Sequence, residues 1–252
     1  EKGEPVTSAD GRVIYDVGSG AQCVQCHMPG RYYMGIDYRP DHSIRIPRPD
    51  LSIKLGTPNA CNRCHGDKTE RWSEEYITKW YGPGRRAHYG TIIDAGRKRL
   101  PSAHQDLIRL TADPLYPVIV RATALSLLGT YPPPETSTAF EAALVDDEAL
   151  IRRTAMDHLS LSDTKRQTTH LRSALYDPVK AVRLEAARRL SEITDPQLDG
   201  SQKKVYQAAL LDYQESMDYS GDFAFARYNL GNLYANLHQP ERAVENYRAA
   251  IR

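Results

Sequence analysis

"VIVRATALSLL" (118–128), "ALIRRTAMDHL" (149–159) and "KAVRLEAARRL" (180–190) align without a gap. Arg121, Arg152 and Arg183 are spaced 31 residues apart. Three positions after each arginine stands an alanine (Ala124, Ala155, Ala186), and seven after it a leucine (Leu128, Leu159, Leu190). Asp146 and Asp177 precede the second and third arginine by six residues, and Leu144 and Leu175 each end a preceding helix. The first unit has a longer connection, "TADPLYP" (111–117). A fixed period of this length with two helices per unit predicts a solenoid. Each unit can bury one face only against its neighbours, so the three share a continuous core.

Residues 101–195 resemble HEAT-type repeats, in which the Asp and Arg positions recur. Beyond them the pattern changes. "YNLGNLYANLHQPERAVENYRAAI" (228–251) resembles a tetratricopeptide repeat. Leu230, Gly231 and Tyr234 fall on its first helix, and Ala243, Tyr247 and Ala250 on its second. Gly231 and Ala243 are small because the helices cross closely there. His238 replaces the usual glycine of the inter-helix turn. "KKVYQAALLDYQESMDYSGD" (203–222) reads as the second helix of a divergent preceding unit. A single repeat cannot bury its own face, so the chain is expected to belong to a longer polypeptide or to pack on another copy. Its first residues, with no initiator Met, and its last, without a stop signal, carry the same expectation.

Upstream, "TERWSEEYITKWYG" (69–82) places Trp72, Tyr76, Ile77 and Trp80 on one helical face, closed by Gly82 and Pro83. "GRRAHYGTIIDAGRKRL" (84–100) predicts a second helix that includes His88. Residues 1–68 are rich in Gly, Pro, Asp and Arg and lack helical periodicity. Prolines 47, 49 and 58 should break any helix there. This stretch is expected to be mostly loop, with a turn of helix around each cysteine motif. The whole reads as mainly α: a loop-rich segment over 1–83, HEAT-like helices over 84–198 and a tetratricopeptide-type unit over 199–252.

All four cysteines lie in two Cys-x-x-Cys-His units, "CVQCH" (23–27) and "CNRCH" (61–65). Two disulfides would staple a chain that has little need of them. A four-thiolate zinc site suits paired Cys-x-x-Cys units. It does not need a histidine after each pair, and zinc ribbons usually carry strands between the pairs, which this proline-rich stretch is expected to lack. Covalent attachment of c-type haem accounts for both histidines. Two thiols add to the two vinyl groups, the two intervening residues bring both sulfurs to one porphyrin edge, and the next histidine lies beneath the iron. Cys23, Cys26 and His27 would hold one haem, and Cys61, Cys64 and His65 a second.

The sixth ligand decides the chemistry. A distal histidine gives electron transfer at low potential, methionine raises the potential, and an open position permits catalysis. Six of the eight histidines lie outside the motifs. His42, in "RPDHSIRIPRPD", has no scaffold role and is the first distal candidate; His88 is the second, unless it is only a polar position on an amphipathic helix. His104, His158, His170 and His238 sit within repeat units and read as surface or cap residues. Met28 and Met34 are the alternatives, though Met28 adjoins His27 and cannot easily reach the far face. Arg31, Arg39, Arg45 and Arg48 cluster between the motifs, where guanidinium forks suit haem propionates or form a solvated basic loop. Tyr32, Tyr33 and Tyr38 would pack on porphyrin edges or on one another. With so little apolar residue mass, residues 1–68 are expected to be unfolded without cofactor.

The string "CVQCHMPGRYYMGIDYRPDHSIRIPRPDLSIKLGTPNACNRCHGDK" (23–68) is similar to the paired-motif segment of large bacterial multihaem c-type cytochromes. Those proteins join such segments to HEAT-like and tetratricopeptide repeats in this order. The resemblance implies export and electron transfer, with further haems upstream. Attachment of c-type haem occurs outside the cytoplasm, so a periplasmic or extracellular location is expected. A net charge of +1 argues against a general nucleic-acid or membrane-surface binder, and no apolar run could span a bilayer. The expected function is electron transfer through two bis-histidine haems, with helical repeats docking redox partners, other haem subunits or further copies, even as a filament. A haem reductase or oxidase with an open iron is the alternative, and a zinc-ribbon scaffold the third reading.

Overall fold

The computed structural model describes residues 6–7, 11–15 and 23–251. It is mainly helical, with thirteen α-helices among the described residues. By its internal contacts the chain divides into two compact units, residues 1–91 and 92–252.

The first unit opens with a short antiparallel pair, β1 (Val6–Thr7) and β2 (Val13–Tyr15). α1 spans Cys23–His27. A hairpin follows, β3 (Gly30–Tyr33) on β4 (Asp37–Pro40), with Tyr32 opposite Tyr38. Its turn holds Met34 (φ 52) and Gly35 (φ 79) in the left-handed region, which Gly35 adopts at no steric cost. The sequence was expected to form no strand here. The hairpin forms because the tyrosines of Arg31–Tyr33 and of Tyr38 flank a turn that contains Met34 and Gly35, a local signal that length and proline content obscure.

A second difference is α2 (Pro49–Leu55). The prolines do not break it, because Pro49 takes the first helical turn, where no N–H is needed. Gly56 (φ 69) ends it. A 3-10 turn covers Cys61–Arg63, and α3 runs Glu70–Tyr81 behind an N-cap at Thr69, whose hydroxyl accepts from Trp72 N–H at 3.3 Å. α2 and the 3-10 turn both pack on α3. Among the described residues of this unit only Pro49, Leu51, Ser52, Asn59 and Ser73 are buried. The described residues of this unit therefore form almost no apolar core.

α4 spans Tyr89–Arg97, shorter than the helix expected over 84–100. Gly82, Pro83 and Gly84 hold the chain out of helix, and His88 lies in the irregular stretch before α4.

The second unit is a run of helices that pack on near neighbours in sequence: α5 (Ala103–Ala112), α6 (Val118–Leu128), α7 (Pro133–Ala143), α8 (Ala149–His158), α9 (Thr164–Ala174), α10 (Lys180–Ser191), α11 (Gly200–Tyr219), α12 (Ala224–Asn236) and α13 (Pro240–Ala250). α6 packs on α8 and α8 on α10, while α5 pairs with α6 and α9 with α10. Residues 31 apart occupy equivalent places. Ala124, Ala155 and Ala186 are fully buried, as are Leu128, Leu159 and Leu190.

An arginine–aspartate ladder runs along these helices. Arg121 pairs with Asp146. Arg152 donates to both Asp177 carboxylate oxygens, from Nε at 2.7 Å and from Nη2 at 3.1 Å. Each arginine also caps backbone: Arg152 Nη1 donates to Asp146 O and Arg183 Nη1 to Asp177 O, both at 2.8 Å. Asp177 in turn accepts from Val179 N–H at 2.8 Å, which holds the turn before α10.

α12 and α13 form a closely packed hairpin. A Cβ on Gly231 would lie 2.4 Å from the Tyr247 ring, so only glycine lets the helices approach this far. His238 stands at the turn with φ 56, the left-handed conformation that glycine would take.

Candidate functional site

The first motif occupies the single turn of α1, with Cys23 and Cys26 exposed. His27 is fixed from one side by one residue. Its Nδ1 lies 2.8 Å from the Arg45 carbonyl, and Arg45 N–H donates to the His27 carbonyl at 2.9 Å. A carbonyl only accepts, so His27 donates from Nδ1 and its Nε2 carries the lone pair. This is the tautomer a metal-ligating histidine needs, with its second nitrogen held by an outer partner.

The "DHSIR" string builds that partner. Asp41 accepts from Ser43 N–H at 3.0 Å and from the Ser43 hydroxyl. Arg45 Nε donates to Ser43 Oγ at 2.8 Å and lies 3.4 Å from Asp41. The Ser43 hydroxyl and amide, together with the Arg45 and Arg31 charges, outweigh the small effect of burial and hold the Asp41 carboxyl below its usual range. His42 sits exposed on this turn.

The second motif is stapled by asparagines. Asn59 Nδ2 donates to Ser73 Oγ at 2.8 Å and to Asn62 Oδ1 at 2.5 Å, while its Oδ1 accepts from Cys61 N–H at 3.2 Å. Asn62 Nδ2 donates to the carbonyls of His65 and Lys68, at 3.2 and 2.6 Å. The "NACN" residues thus fix the backbone of the motif against α3. Cys61 and Cys64 are half-buried. The His65 ring packs 4.8 Å from Trp72, and Trp72, Tyr76 and Trp80 continue as a ladder along α3 at 4.8 and 5.5 Å.

His88 lies within the field of the 45–50 segment. Burial first, then the Arg48 and Arg45 charges, push its pKa down against the opposing pull of Asp50. Its Nδ1 accepts from Gly90 N–H at 3.0 Å. Neutral His88 therefore carries its proton on Nε2, and ligation through Nε2 would require release of Gly90. Three of the four remaining histidines make side-chain contacts in the second unit: His104 Nδ1 lies 2.7 Å from Pro101 O, His158 Nε2 lies 2.8 Å from Ser126 Oγ, and His170 Nε2 lies 3.3 Å from Glu141 Oε1.

The expected basic cluster is largely matched from within. Arg39 pairs with Asp37, and Arg48 holds Asp50 with two bonds of 2.8 and 2.7 Å. Of the tyrosines, Tyr32 meets Tyr38 edge-on at 5.3 Å and all three are about half exposed or more. Sequence reasoning missed Arg63, an intervening residue of the second motif. Its Nη2 donates to Tyr38 OH at 2.8 Å, and its Nη1 is buried without a hydrogen-bond partner among the described residues.

None of the four cysteines is joined in a disulfide. Among the described residues no three His, Cys, Asp or Glu side chains converge, so the cysteines do not form a preassembled tetrahedral site. The β3–β4 hairpin does lie between the two pairs, contrary to the strand-free stretch the sequence suggested. No helix among the described residues is long and apolar enough to cross a membrane. Comparison of the chain with protein-family models, with curated proteins and with solved structures finds no match.

Proposed function

We propose that this chain is an exported electron carrier of the multihaem c-type cytochrome kind. Cys23, Cys26 and His27 would hold one haem, and Cys61, Cys64 and His65 a second. The group supplies a one-electron ferric–ferrous couple when bound. The residues present fit it. A pair of cysteines outside any disulfide stands beside each histidine, and His27 offers Nε2 because Arg45 O holds Nδ1. Val24, Tyr32, Tyr33, Tyr38, Ile44 and Ile46 present apolar surface with almost no protein core beneath them. His42 is the first distal candidate, on an exposed turn, and His88 the second, once it releases Gly90. The helices of the second unit form a solenoid of HEAT-like units followed by a tetratricopeptide-type hairpin, a frame for redox partners or further copies.

The observation that carries this reading is the double tie between His27 and Arg45 across "DHSIR", which sets the tautomer that iron ligation needs. Neither a disulfide pair nor a four-thiolate zinc site has use for it. The test is expression in a host that attaches c-type haem. A pyridine haemochrome assay should return two haems per chain, and one after Cys23→Ala with Cys26→Ala. A colourless protein holding one zinc ion would overturn the proposal. Carbon monoxide should leave the reduced spectrum unchanged until His42 or His88 is replaced; a shift in the unaltered protein would favour the reductase or oxidase reading.

A further inference from the structure

We infer that Arg63, supported by Tyr38, binds a carboxylate, and that this carboxylate is a propionate of the haem tethered by Cys23 and Cys26. The inference rests on the haem reading above. Four other guanidiniums of the first unit already have a carboxylate: Arg39 has Asp37, Arg45 has Asp41, Arg48 has Asp50 and Arg85 has Glu74. Arg63 is matched differently. One arm donates to a phenol, Tyr38 OH, at 2.8 Å, and the other arm, Nη1, is buried without an acceptor among the described residues. A buried donor on a permanently charged group is costly unless an acceptor reaches it, and a planar fork selects a two-oxygen anion.

Chemistry then chooses between the two haems. On a porphyrin the vinyl groups that become thioethers and the propionates leave opposite edges. Arg63 adjoins Cys64, on the thioether edge of its own haem, and so stands away from that haem's propionates. Its side chain instead reaches Tyr38, on the hairpin that directly follows the first motif. Tyr38 is positioned in turn: its ring covers Gly30, where a Cβ would lie 2.5 Å from it, and Tyr32 abuts it. A residue of one motif thereby neutralises charge on the haem of the other, which raises that haem's potential.

The test is redox potentiometry on the haem-loaded protein. Arg63→Gln should lower the midpoint potential of one haem and leave the other unchanged, and Arg63→Lys should recover part of the loss. In the Cys23→Ala, Cys26→Ala background, which retains only the second haem, Arg63→Gln should have no effect. Unchanged potentials in the two-haem protein, or a shift that persists in the one-haem background, would overturn the inference. Should the Gln variant fail to mature, Tyr38→Phe takes its place. Resonance Raman should then show the propionate bending band of one haem displaced, and an unmoved band would refute the assignment. A colourless wild-type protein would instead remove the haem reading itself.

Discussion

Asn59 shows how one buried amide can hold a whole motif. It satisfies Cys61 N–H, Asn62 and Ser73 together, and Ser73 lies fourteen residues away on α3. Asn59→Ala would strip partners from a buried hydroxyl and a backbone amide, a loss of roughly 1–3 kcal/mol. Urea unfolding followed at the Trp72 and Trp80 fluorescence should show the unfolding free energy fall by that amount, with a lower midpoint, and an unchanged midpoint would mean the amides do not hold the turn. The sequence contained Asn59 within "GTPNACN", yet no local spacing reveals a partner on another helix. His27 was different. Its proposed role comes from the Cys-x-x-Cys-His spacing, whereas the Arg45 carbonyl that orients it comes from a turn whose geometry depends on Asp41 and Ser43. Arg63 was passed over because an intervening residue of such a motif carries no signal by type.

At the scale of elements, the 31-residue period was legible because each unit repeats the same burial, and the ladder of Arg152 on Asp177 couples consecutive units. The side chains of this pair are 13% and 10% exposed. Removal of the anion leaves a guanidinium nearly buried and unpaired, so Asp177→Asn should cost about 3 kcal/mol at neutral pH. Burial pushes the Asp177 carboxyl up. The Arg152 bonds, Val179 N–H and the Arg152 and Arg183 charges outweigh it and hold the pKa below the usual 3.8. A depressed folded value means that the unfolded chain takes up the proton first as pH falls. The stabilisation is therefore full above 3.8 and is lost as pH drops through the folded value. Thermal melts of wild type and Asp177→Asn should converge as pH falls below 3.8, and a constant gap would show that the ion pair is not its source. Elements without a repeat were harder to read. α2 was hidden by prolines that suit a first turn, the β3–β4 hairpin by its shortness, and the start of α4 by an amphipathic pattern that Gly82, Pro83 and Gly84 override.

On the scale of the molecule, the two units differ in what can hold them folded. Residues 92–252 bury leucines and alanines at every turn of the stack and lock them with ion pairs. Residues 1–91 bury five described side chains and leave Tyr32, Ile44 and Ile46 at 69%, 65% and 76% exposure. Hydrophobic burial is the main favourable term in folding, so on the haem proposal two porphyrins would supply the apolar mass that the described residues of the first unit lack. The chain made without haem attachment should then lose its first 91 residues to limited proteolysis, leaving a helical fragment that begins near residue 92. The haem-loaded chain should resist at the same protease concentration, with Lys54 and Arg63 protected together with the motifs. Equal resistance with and without haem would mean that α2, α3 and the asparagine network suffice on their own, and that the tethered groups are passengers on this unit rather than its core.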